Sequence, residues 1–464
     1  MKAGPAENRI AIPETLRRFQ ATMDGPVYMV GGAVRDALLG RPGHDLDATG
    51  AIPPETVRQR AEAAGFAVSK INRSLGTVGV VIQGETVEYT AFRTEAYAPG
   101  GGHMPETVTV GGTMQTDAAR RDFTVNALYA ACDTGLVEDP LGGLADLEAH
   151  LLRQCSPVTL ASDALRILRL VRFSGQLGFA VEGETFRTAK ENVKGLADIA
   201  PERRREELDK ILLSDQRAAL LGMGDGKSLI DTLHLVGELG AWHYLIPELE
   251  EGMDMAQRAD YHAYPVGEHL LRACAAMEPD LTLRLAALLH DIGKPRAYWM
   301  DGNFYRHALL GSRMVPDILD RLRYSNAIRE EVTFLVAEHM YDLQGTAREA
   351  TLRARFVSWG RERTRELILL READIHGSGR DLAYRAARWR ALYDAMQKDH
   401  TPFSLSELAV GGKDLLDYTG RKPGPWMRET LDAMLRHCAA YPQDNTREKL
   451  LSLYHDIAGR RERD

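Results

Sequence analysis

Apolar positions change their spacing along the chain. Near the N-terminus they come in short runs: Val27–Val30 stops at Gly31-Gly32, and 33–39 then carries helical spacing. Pro53-Pro54 opens a second predicted helix through 57–64, with Pro54 suited to a first helical position. The runs 78–82 and 86–92 flank Gly84 and predict a β-hairpin. From 94 to 119 the pattern dissolves into Pro99, Gly100-Gly101-Gly102, Pro105 and Gly111-Gly112. That predicts a long, mobile loop, of a length that in compact domains tends to carry function. Beyond it helical spacing dominates. Residues 163–173 form an amphipathic helix with Leu165, Leu168 and Val171 turned to a core, 221–250 is helical with a break at Pro247, and 403–464 is helical with turns at Gly411-Gly412-Lys413 and Arg421-Lys422-Pro423-Gly424.

The 464 residues suffice for about three domains. An apolar fraction of 44% and a charged fraction of 27% are ordinary for a soluble globular protein, and no apolar run approaches the length that spans a bilayer. Residues 1–15 show no secretory signal. Cys132, Cys155, Cys274 and Cys438 are scattered without a Cys-x-x-Cys pair, which suggests neither a disulfide framework nor a cysteine zinc site and fits a reducing cytoplasm. A net charge of −8 speaks against a protein that coats nucleic acid nonspecifically. Positive charge is concentrated locally at Arg120-Arg121, at Arg166, Arg169 and Arg172, and at Arg203-Arg204-Arg205, as a basic cleft on an acidic body requires.

Several segments carry candidate chemistry. The Gly31-Gly32 turn lets backbone approach a ligand with no Cβ in the way, and helix-start N–H groups with Arg35 nearby favour a polyanion such as phosphate. Asp45 and Asp47, two apart on a strand, point to one face and can hold a divalent cation. Glu88, between Val87 and Tyr89, is either the solvent face of an edge strand or a third carboxylate near that pair. Asp163 and Arg166 form either a surface ion pair worth a few tenths of a kcal/mol or a base reader. In the second role the carboxylate accepts from an amino group and the guanidinium donates to a ring nitrogen. That admits cytosine and adenine and leaves groups unpaired against uracil and guanine. Three-residue spacing lags the helical turn, so the row Arg166, Arg169, Arg172 is expected to wind partly round its helix. Farther on, His269, His290-Asp291, His307, His339 and Asp374 are separated by helices and supply imidazole and carboxylate, the ligands of a hydrolytic divalent metal.

Strand, Gly-Gly, helix and Asp45-x-Asp47 in this order resemble the nucleotidyltransferase head of the tRNA CCA-adding enzymes and bacterial poly(A) polymerases, class II, relatives of the DNA polymerase beta superfamily. Later segments resemble the family's further signatures in sequence order. Arg120–Leu128 is similar to the second, in which Arg121 supplies charge to the triphosphate while Asp122 and Asn126 order the turn or orient that arginine. Asp139–Leu147 is similar to the third, a Pro/Gly turn closing the head. Asp163 and Arg166 match the base-reading residues of the fourth, Glu-Asp-x-x-Arg, with Ser162 in place of the Glu, and Arg169 and Arg172 match further nucleotide-contacting arginines. Glu202–Leu208 resembles the fifth, a supporting helix, or is a solvated charged helix. His269, His290, Asp291 and Asp374 match the metal pattern of the HD phosphohydrolase domain.

The resemblance implies an α+β fold, with a polymerase-beta-like head of mixed sheet and helices followed by a mostly α-helical body that includes an HD domain. The expected divisions are a head at 1–155, a base-selecting neck at 156–250, an HD domain at 251–380 and a tRNA-gripping tail at 381–464. The implied activity is template-independent addition of CMP and AMP from CTP and ATP to the tRNA 3′ end. Asp45 and Asp47 are expected to bind Mg2+, and Gly32, Arg35, Arg121, Asp163, Arg166, Arg169 and Arg172 the nucleotide. A second divalent metal is expected in the HD domain, and no membrane partner. Poly(A) addition, CC-only or A-only addition, HD phosphohydrolysis as the main activity, and noncatalytic RNA binding are the alternatives.

Overall fold

The computed structural model describes residues 8–41, 46–96, 106–220 and 228–456, and falls into two units, Met1–Pro247 and Glu248–Asp464. In the first, the short apolar runs become strands: β1 Val27–Val30, β2 Asp47–Gly50, β3 Ala67–Asn72, β4 Thr77–Ile82, β5 Glu85–Ala91, β6 Arg93–Ala96, β7 Thr107–Val110, β8 Tyr129–Ala131 and β9 Val137–Glu138. Seven of them make one mixed sheet in the order β3-β4-β5-β2-β1-β8-β9, with β2 and β5 parallel. The expected hairpin is β4–β5, closed by Gln83 and Gly84, both at positive φ (53° and 89°), the backbone that a tight two-residue turn requires.

On β5 the side chains of Val87, Tyr89 and Ala91 are buried while Glu88 is exposed, the period of two of a half-covered strand. Because β5 lies between β4 and β2, it is an interior strand, not an edge one. The parallel register places Glu88 beside Asp47. The loop expected over 94–119 is replaced, where described, by secondary structure. β6 and β7 pair antiparallel, Arg93 opposite Val110, and the helix Met114–Ala119 starts at Thr113, whose hydroxyl caps the Thr116 N–H. The Thr-Val-Thr-Val alternation of β7 and the Thr cap were overshadowed by the glycines and prolines on either side. Residues 97–105 lie outside the described residues.

After the sheet come helices. Leu165–Leu177 buries Leu165, Ile167, Leu168, Leu170 and Val171 and packs on Pro201–Leu212 and Leu229–Glu238. The second unit is helical among its described residues. Val266–Ala276, Leu281–Leu289, Asn326–Glu338 and Arg361–Gly377 pack together, and Leu408, Val410, Leu415, Met434, Cys438 and Leu450 make a smaller core near the C-terminus. Among the described residues no helix is long and apolar enough to cross a membrane.

Candidate active site

β1 ends at Gly31, whose φ of 80° and ψ of −140° only glycine adopts without strain, and the helix Gly32–Leu38 begins at once. This turn forms one wall of a cavity of about 790 Å³. Asp47, at the first residue of β2, also lines it, while Asp45 lies outside the described residues. Nine basic side chains face the cavity against four aspartates, a local excess of positive charge on a chain of net charge −8. A triphosphate suits that balance.

Four arginines of the wall, Arg35, Arg120, Arg121 and Arg169, are held from behind by carboxylates or an amide. Arg35 donates through Nε to Asp36 at 2.9 Å and through Nη1 to Asn126 Oδ1 at 2.6 Å. The Asn126 amide donates to Asp122 Oδ1 at 3.1 Å, and Asp122 Oδ2 accepts from Arg169. Asp122 and Asn126 thus position Arg169 and Arg35, not Arg121. Arg121 is held instead by Asp117 Oδ2 at 3.1–3.2 Å and by the Tyr129 hydroxyl oxygen at 3.1 Å. Asp117, fully buried, also takes Arg120 at 2.7 Å. Burial would raise the Asp117 pKa, but Arg121, Arg120 and the Tyr129 hydroxyl hold it below the ordinary value.

Arg166, Arg169 and Arg172 all reach the same cavity, so the row does not wind out of it. A lag of roughly 60° per three residues is within the span of such long side chains. The Phe173 ring gathers two of them together with Arg35: the guanidinium carbons of Arg172, Arg35 and Arg169 lie 4.4, 5.2 and 5.5 Å from its centre. Arg172 pairs with buried Glu207 at 3.3 Å, and its own burial lowers its pKa to about 10. The helix Pro201–Leu212 is therefore more than a solvated charged helix, since Glu207 braces the wall and Arg203 and Lys210 line it. Asp163 precedes the helix Leu165–Leu177, accepts the Leu165 N–H at 3.1 Å, and stands 3.8 Å from Arg166. Arg166 donates to the carbonyls of Thr159 and Arg120 at 3.0 and 2.8 Å, which ties the helix Leu165–Leu177 to the Arg120-Arg121 segment.

Asp117 escaped the sequence reading, and Glu207 was not singled out within Glu202–Leu208, the segment expected to be a supporting helix. An aspartate three and four residues before an Arg-Arg pair on a helix is the signal that points to Asp117. For Glu207, no sequence signal separates it from the charged residues around it.

The second unit brings together the histidines and aspartates of its motif. His269 Nε2 lies 3.1 Å from His290 Nε2, 3.2 Å from Asp374 Oδ1 and 3.3 Å from Asp291 Oδ2. His307 and His339, on later helices, face the same Asp291. Burial opposes charge on His290, yet the carboxylates of Asp291 and Asp374 hold its pKa at about 10. Buried imidazoles and carboxylates at such separations are the donor set of a divalent transition ion.

Residues 27–153 match the poly A polymerase head domain, residues 178–223 the probable RNA and SrmB-binding site of polymerase A, and residues 260–376 the HD domain. The chain is 30% identical over 429 residues to the CCA-adding enzyme of Geobacillus thermodenitrificans, covering 91% of each chain. It is 32% identical over 428 residues to the A-adding tRNA nucleotidyltransferase of Deinococcus radiodurans, covering 88% of this chain and 90% of that one. A solved structure, the Bacillus stearothermophilus CCA-adding enzyme in complex with CTP, is similar with a TM-score of 0.68 and 26% identity over 97% of this chain and 98% of that one.

Proposed function

Because the chain belongs to the family of tRNA CCA-adding enzymes and poly(A) polymerases, we propose that it adds CMP and AMP, from CTP and ATP, to the 3′ end of tRNA without a template, in the cytoplasm. The observation that carries the reading is one cavity lined by the Gly31-Gly32 turn, Asp47, Arg121 and the Asp163–Arg166 pair. Segments 1–155, 156–250, 251–380 and 381–464 are taken as head, neck, HD domain and tail.

Asp45 and Asp47 are assigned the magnesium. Asp47 fits a hard cation: it lines the cavity and lies opposite Glu88 in the strand register, and such ions take oxygen ligands. When bound, the ion offsets triphosphate charge and activates the RNA 3′ hydroxyl. The chain's own groups do the rest. The bare backbone at Gly32 admits the phosphates, Arg121, Arg169 and Arg172 offset their charge from fixed positions, and Arg35 braces the turn through Asn126. Asp163 and Arg166 select the base. Pyrophosphate leaves. In the second unit, His269, His290, Asp291 and Asp374 are assigned a divalent ion, which their nitrogen and oxygen donors fit.

The A-adding relative at 32% identity supports a second reading, addition of the terminal A alone. Transcripts of tRNA ending before CCA, after C and after CC, each given CTP alone, ATP alone or both, separate the two. Full CCA addition extends the first transcript by two residues with CTP and by three with both. An A-adding enzyme extends only the CC-ending transcript, by one residue. No extension of any transcript contradicts both readings.

A further inference from the structure

Most of the Arg121 guanidinium is spent on buried groups. Its Nε and Nη2 donate to Asp117 Oδ2 at 3.2 and 3.1 Å, and Nε also reaches the Tyr129 hydroxyl oxygen at 3.1 Å. Nη1 lies instead at the Gly31 turn, 3.6 Å from where a Cβ on Gly31 would stand. Tyr129 closes the triangle: its hydroxyl donates to the same Asp117 oxygen at 2.8 Å, and the guanidinium carbon lies 5.3 Å from the centre of its ring. Strand register pins the tyrosine. On β8 it pairs with Val30, the last residue of β1 before the turn, and Tyr28 and Phe92 pack on its ring with centres 6.4 and 6.1 Å away.

Stability alone is a weak reason for this arrangement. Asp117 and Tyr129 are fully buried, and taking a carboxylate out of water costs about as much as its ion pairs return, so an apolar residue would serve that helix as well. Asp117 Oδ1 also takes Arg120 at 2.7 Å, while Glu95 takes Arg120 at 3.2 Å and Arg93 at 2.7 Å. Within this group three guanidiniums share two carboxylates, and Arg120 and Arg121 line the cavity. A fixed surplus of positive charge there serves an anion that must be held in one place.

We propose that Asp117 and Tyr129 are positioning residues that set the site's preference for a nucleoside triphosphate over a monophosphate, by fixing Arg121 beside the Gly31 turn before the nucleotide arrives. The proposal rests on the nucleotidyl-transfer reading of the cavity and deepens it. A monophosphate and a triphosphate of one nucleoside offer Asp163 and Arg166 the same base, so the added phosphates are what Arg121 distinguishes. An unbraced arginine must be ordered at each binding event, and ordering one long side chain lowers affinity by up to about tenfold. Braced by Asp117 and Tyr129, Arg121 has already lost that freedom.

Calorimetric titration of the full chain with CTP and with CMP, each in Mg2+, tests this. Wild type is expected to bind CTP more tightly than CMP. Tyr129→Phe removes one hydroxyl, keeps the ring and weakens CTP binding about threefold; Asp117→Asn weakens it about tenfold, and CMP affinity stays level in both. In an Arg121→Ala background Tyr129→Phe costs no further CTP affinity, because the group it positions has gone. Equal weakening of CTP and CMP, or the same loss of CTP affinity in the Arg121→Ala background, assigns the pair to the fold alone and overturns the proposal. Unchanged CTP affinity in Tyr129→Phe overturns it too. If Asp117→Asn does not fold, Tyr129→Phe in the two backgrounds decides. A wild-type chain that binds CTP no more tightly than CMP contradicts the nucleotidyl-transfer reading itself.

Discussion

Arg169 donates two hydrogen bonds to a single oxygen of Asp122, from Nε at 2.9 Å and from Nη2 at 2.5 Å. This pair ties the segment after Arg121 to the helix Leu165–Leu177. Burial would raise the Asp122 pKa, but Arg169, the Asn126 amide and the Phe123 N–H hold the carboxyl well below the usual range.

The folded-state pKa of Asp122 is depressed, so its contribution is complete above the unfolded value of about 3.9 and is lost as pH falls through the folded value. Asp122→Asn is expected to lower unfolding free energy at pH 7 by about 2 kcal/mol, less than for a fully buried pair because the Arg169 side chain is 36% exposed. Denaturant titrations of both proteins check this: their difference stays level from pH 7 to about 5 and narrows below about 4. A difference that widens on acidification contradicts the assignment.

Under the proposed base-reading role of Asp163 and Arg166, removing either member relaxes selection. Asp163→Ala and Arg166→Ala are each expected to reduce discrimination against UTP and GTP by about 10- to 100-fold, the worth of one or two well-placed hydrogen bonds. Single-turnover incorporation of all four nucleotides into tRNA ending in CC measures it. Arg166→Ala also releases the Thr159 and Arg120 carbonyls, so it lowers Tm more than Asp163→Ala does.

Gly31→Ala forces a side chain into a positive-φ conformation that is essentially reserved for glycine and is expected to cost about 1–3 kcal/mol. The added Cβ lies 3.6 Å from Arg121 Nη1, at the edge of the cavity proposed to take the triphosphate. Thermal melts show the destabilisation, and steady-state kinetics show KM for CTP and ATP rising more than kcat falls. Unchanged KM removes the turn from the binding site.

What the sequence disclosed follows the range of the interaction. Gly31-Gly32, the Gln83-Gly84 hairpin and the apolar face of the helix Leu165–Leu177 are local devices, readable from spacing. The bond from Asp122 to Arg169 spans 47 residues, and no local pattern announces which arginine an aspartate will hold. Asp117 was hidden because the helix bearing it lay in a segment read as loop, and its burial depends on Tyr129 from a distant strand. The histidines His307 and His339 were visible as residue types, but their convergence on Asp291 needed helix packing to bring the Nε2 atoms together. The Phe173 ring, an ordinary core position by spacing, turns out to gather three guanidiniums.

The strongest check is incorporation of labelled CMP and AMP into tRNA lacking its CCA end by Asp47→Ala and, separately, by Asp45→Ala, each compared with wild type at saturating nucleotide and Mg2+. Each variant is expected to lose essentially all incorporation, by about 10³-fold or more, with its thermal melt unchanged. A folded variant that incorporates at near wild-type rate would contradict the nucleotidyl-transfer site described above.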